Sequence, residues 1–66
     1  MTTRETVNKL PEHIRAAIEE FKRDYKNAGL RKGEVRSGLA GYVKGLRDTG
    51  LITERERQIL FVYGTV

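Results

Sequence analysis

Ile14, Ile18, Phe21 and Tyr25 recur at spacings of four, three and four, and this is the strongest constraint on the fold. At about 100° per residue the spacing puts all four on one stripe of a helix of about five turns, with Ala17 and Ala28 beside it. Such a stripe must be covered, and the chain repeats the device. Val35, Leu39, Tyr42, Val43 and Leu46 make a second helical stripe, and Ile59, Leu60 and Tyr63 continue the apolar side in a third segment.

Boundary signals frame these segments. Pro11 suits a first helical turn, where its missing N–H costs little. Thr53-Glu54-Arg55-Glu56 is a capping box, and Thr2 with Glu5 offers another. Gly29-Leu30 and Gly50-Leu51 each provide a left-handed stop followed by an apolar residue, and read as two instances of one capping solution. Gly33 stands where the cap of the second helix is expected. The predicted fold is all-α, a single domain over 1–66: a small bundle of three main helices over 11–28, 34–48 and 54–63 joined by tight Gly-Leu turns. Residues 1–10 form an arm or a short helix carrying Val7 and Leu10. The run ILFVY at 59–63 also has β-branched and aromatic character. The capping box just upstream favours helix over strand there.

A chain of 66 residues buries only a small core. It has no cysteine and one histidine, which excludes disulfides, thiolate metal sites and a multi-histidine centre within one chain. Helix packing and self-association are the remaining sources of stability. No apolar run reaches the length of a membrane span or signal-peptide core, so a soluble, cytoplasmic protein with no membrane association is expected.

Catalysis is not expected either. His13 lies far in sequence from Ser37, and its helical face carries only Glu20 and Asp24. The neighbouring pair Glu19-Glu20 faces apart, and Glu56 is better used as a cap. There is no phosphate-binding loop, dinucleotide fingerprint or EF-hand pattern. No cofactor and no metal are implied.

Two surfaces carry the functional expectation. Gly38, Gly41 and Gly45 occupy one sector of the second helix, although each costs about 0.5–1 kcal/mol relative to Ala in a helix interior. Close approach of another helix, from this chain or a second copy, compensates for such a sector. A ligand phosphate would instead need free N–H groups at a helix start. In the third helix five consecutive apolar residues exceed what one buried face needs, so Phe61, Val62 and Tyr63 extend the predicted protein interface. The competing arrangement has Val7 and Leu10 of the N-terminal arm cover that helix. The second surface is basic: Arg31, Lys32, Arg36, Lys44 and Arg47 against Glu34 and Asp48 give residues 31–48 a charge of +3 of the chain's +4. Phosphate contacts need such a stripe, and a solvated face needs nothing more.

The segment LITERERQIL resembles the opening helix of the DNA-binding domain in quorum-sensing-type response regulators. The DNA-reading helices of that family follow this one, beyond Val66, so the resemblance carries over no site residue. The expected function is that of a non-catalytic interaction or regulatory module, acting as a homodimer and binding a protein partner. The alternative is a nucleic-acid-binding accessory protein that uses the basic face of 31–47.

Overall fold

Thr2 opens the first helix by accepting from the Glu5 N–H at 3.1 Å, while the Glu5 carboxylate accepts from the Thr2 N–H at 3.2 Å. The computed structural model describes residues 2–66; Met1, at the head of the predicted arm, lies outside them. Helices α1 (Thr3–Asn8), α2 (Glu12–Asn27), α3 (Lys32–Asp48) and α4 (Glu54–Gly64) follow in order, with a 3-10 turn over Gly29–Arg31 before α3. Among the described residues there is no strand, and 59–63 lie within α4.

The second capping box forms as its sequence predicts. Thr53 accepts from the Glu56 N–H at 3.1 Å, and Glu56 accepts from the Thr53 N–H at 2.8 Å. A cap of this kind is worth about 1 kcal/mol. Pro11 is the residue just before α2 and not its first helical residue; its carbonyl accepts from both Ile14 and Arg15.

The two Gly-Leu stops differ. Gly29 and Gly50 both have positive φ, +59° and +82°. At the end of α3, Gly50 N–H reaches Arg47 O at 2.9 Å and Leu51 N–H reaches Leu46 O at 3.0 Å, the full two-bond cap. At the end of α2 the chain instead passes from Gly29 into the 3-10 turn, where Arg31 N–H bonds to Ala28 O at 3.0 Å. Leu30 is therefore left fully exposed. Because the turn feeds straight into α3, that helix begins at Lys32, and Gly33 is inside it rather than capping it.

Contacts descend α2 as they climb α3: Tyr25 meets Arg36, and Phe21 meets Gly38 and Tyr42. These two helices are thus antiparallel. So are α3 and α4, joined by Arg47–Glu54 at one end and by Leu39 against Gly64 at the other. The centre holds Ile18, Leu39, Val43 and Leu60, all 0% exposed, with Ile14 and Ile52 around them. Val7 and Leu10 also enter this core, so α1 covers the bundle as a strap.

Glu56 completes that strap. Its side chain is 9% exposed and pairs with Lys9 just beyond α1. The Lys9 ammonium, then the Thr53 N–H, hold the Glu56 carboxyl below the ordinary glutamate value. A lowered folded-state pKa adds stability above the unfolded value and loses it as pH falls through the folded one. Glu56→Gln, which keeps the capping geometry, is expected to cost about 0.5–1 kcal/mol at pH 7. In thermal melts the two proteins should converge as pH drops below about 4.3.

Candidate interaction surface

Helix α2 presents two edges beside its core stripe, and they meet different helices. On one, Phe21 packs against Tyr42 of α3 with ring centroids 5.6 Å apart and planes tilted by 44°. Gly38 makes room for this pair, because a Cβ there would sit 3.3 Å from Phe21 Cε1. On the other edge, Lys22 donates to Tyr63 O at 3.0 Å and lies 4.4 Å from the Tyr63 ring centroid. The Tyr63 hydroxyl donates to Glu19, and that hydrogen bond raises the tyrosine's pKa. Glu19 is thereby taken up by Tyr63, with no ion pair to Arg23, its neighbour one turn along.

The six residues predicted as a protein interface therefore do not form one surface. Gly38, Gly41 and Gly45 belong to the Phe21 edge. Phe61 and Tyr63 pack half-buried against the core, and of the α4 trio only Val62, at 59% exposed, is largely open. The apolar surplus in ILFVY is absorbed because α4 packs against α1, α2 and α3 at once. Gly64, at the end of α4, is buried against Leu39.

The glycine sector divides as well. Gly38 faces Phe21, whereas nothing lies within 4 Å of where a Cβ would stand on Gly41 or Gly45. Among the described residues no other helix packs on those two. Between α2 and α3 a groove of about 270 Å³ is lined by Ala17, Glu20, Phe21, Asp24 and Tyr42. Glu20 and Asp24 are the residues of this site that the expected interface omitted. Their signal in the sequence is two carboxylates one turn apart along the margin of the apolar stripe.

Most of the predicted basic stripe is neutralised within the chain. Arg31 pairs with Glu34 at 3.1 Å and Lys44 with Asp48 at 3.5 Å. Arg47 bridges Asp48 at 3.1 Å and Glu54 at 2.6 Å, and Arg57 reaches Glu54 at 2.5 Å. Hydrogen bonds from Arg57 and then Arg47 hold the Glu54 carboxyl far below the usual carboxylate range. Bonds to Glu54 and then Asp48 raise Arg47 in turn. The two remaining cations gather on Tyr25. Lys32 Nζ is 5.1 Å and the Arg36 guanidinium 5.8 Å from its ring centroid, and Arg36 donates to its hydroxyl at 2.9 Å.

His13 is exposed, and among the described residues no group of three His, Cys, Asp or Glu is placed to hold a metal ion. No helix among them is long and apolar enough to cross a membrane. The fold is a small all-α bundle, and no protein-family model, curated protein or solved structure matches the chain.

Proposed function

We propose that this protein is a small non-catalytic interaction module that binds a protein partner on its α2–α3 face. One observation carries the reading: Phe21 and Tyr42 line an open groove, and on the helix that carries Tyr42 no described residue comes within 4 Å of where a Cβ would stand on Gly41 or Gly45. Two helical glycines with nothing packed on them lower helix propensity without return inside the monomer. A helix laid against them would gain close backbone approach.

A second copy of the chain is the first partner to test. Light scattering across a concentration series would report a dimer whose interface includes Gly41. Gly41→Leu should then give a folded monomer that melts no lower than the wild type does at concentrations too low to dimerise, because the added side chain meets no neighbour within the monomer and Leu is the better helix former. A wild type that stays monomeric throughout removes the homodimer and leaves the face for a different protein.

Nucleic-acid binding stands as the second reading, supported by Lys32 and Arg36, which have no carboxylate partner among the described residues. It predicts binding to DNA or RNA at low salt, with Arg36→Ala reducing the dependence of log K on log salt by about one unit. Absence of binding at low salt would sink it.

A further inference from the structure

The three tyrosines of the chain are treated unequally. Tyr25 is covered by Lys32 and Arg36, and Tyr63 by Lys22. Tyr42 alone has no cation on its ring among the described residues, although the chain has 13 lysines and arginines. It forms one wall of the α2–α3 groove, with Phe21 beside it.

The acidic residues show the same imbalance. Glu5 and Glu56 serve capping boxes, and Glu34, Asp48 and Glu54 hold ion pairs. Glu19 accepts from Tyr63, and Glu12 sits in the first turn of α2, where the helix dipole favours a carboxylate. Glu20 and Asp24 have neither an ion pair nor a hydrogen bond among the described residues, and both line the groove of Tyr42. At i and i+4 on one helix they repel each other, a destabilisation of about 0.2–0.5 kcal/mol. In a chain of net charge +4, two carboxylates without an ion pair among the described residues thus line the groove of Tyr42, whose ring has no cation on it among those residues.

Resting on the α2–α3 binding reading, we propose that the partner is a basic amphipathic helix. It seats a lysine or arginine against Tyr42 and Phe21, between Glu20 and Asp24, while its apolar face covers Ala17. A cation placed over an aromatic face and desolvated by a partner gains about 2 kcal/mol, and the two carboxylates supply its counter-charge. The open glycines let the rest of that helix lie close to α3.

The test uses two synthetic peptides of equal apolar content, acetyl-LKALLKALLKALLKA-amide and the same sequence with Glu for Lys. Each is titrated into labelled full-length protein with amide shifts recorded by NMR. The lysine peptide should move Ala17, Glu20, Phe21, Asp24 and Tyr42 and be displaced by salt. Its affinity should fall at least fivefold in Glu20→Gln/Asp24→Asn, a change at exposed positions that the fold tolerates. Equal binding of both peptides at the groove overturns the cationic partner and leaves the docking face standing. Shifts confined to other surfaces, or none for either peptide, overturn the inference. If the wild type is also monomeric in that last case, the docking face falls with it.

Discussion

Gly64→Ala is expected to destabilise the protein by about 1–3 kcal/mol, against the ordinary effect of such a change in a helix. Gly64 lies at the end of α4 without a positive φ, so helix propensity alone would favour alanine by about 0.5–1 kcal/mol. Packing reverses the sign. The new Cβ would overlap Leu39 Cδ2, while Leu39 Cγ and Cδ1 would lie at ordinary contact distances of 3.6 and 3.7 Å. Leu39 is 0% exposed in the centre of the core, so turning its branch aside means displacing packed neighbours. Urea denaturation of the wild type and variant would read the loss directly. Gly41→Ala is the internal control: it meets nothing within 4 Å and should stabilise by about 0.5–1 kcal/mol. A Gly64→Ala protein as stable as wild type would mean that Leu39 repacks without penalty.

That pair of glycines also shows what a sequence discloses and what it withholds. The capping boxes at Thr2–Glu5 and Thr53–Glu56 depend on residues three apart, so they can be recognised without knowing the fold. The stripes of α2 and α3 and the left-handed glycines at 29 and 50 are local in the same sense. Gly64 is different, because its role depends on Leu39, twenty-five positions upstream and in another helix. Composition cannot separate it from Gly41, on whose Cβ position no described residue packs.

The basic stripe illustrates the same limit. Counting charges over 31–48 leaves an excess of three, but Glu54 from α4 enters to hold Arg47, and Tyr25 from α2 holds Lys32 and Arg36. The apolar end predicted for α4 is open at Val62 alone of Phe61, Val62 and Tyr63, for a related reason. A helix enclosed by three others can bury Phe61 and Tyr63 on flanks that a helix on a flat bundle would leave open. Gly29-Leu30 and Gly50-Leu51 are alike as dipeptides and diverge because only the first runs directly into another helix. In each case the missing information is which element lies next to which.

Leu39→Ala is expected to have the largest effect of any single change argued for this chain, about 2–5 kcal/mol. A domain of this size has a total stability near the lower end of the usual 5–15 kcal/mol, so a substantial fraction of the variant should be unfolded at 37 °C. The two changes at the α3–α4 contact should not add. Once Leu39 is truncated, the methyl group of Gly64→Ala no longer meets a leucine branch and instead fills part of the vacated space. The double variant should therefore be more stable than the sum of the two penalties predicts, by about 0.5–3 kcal/mol. Circular dichroism in urea on the four proteins closes that cycle. Simple additivity would mean that Leu39 is not what excludes a side chain at Gly64. The proposed docking face supplies an independent reading of the same experiment. Leu39 points into the core while Gly41 and Gly45 on the same helix point out of it, so losing the α4 contact should loosen α3 and weaken any partner bound on the groove. Under conditions where Leu39→Ala remains folded, binding at the groove should fall in that variant and recover partly in the double, tracking how firmly α3 is held.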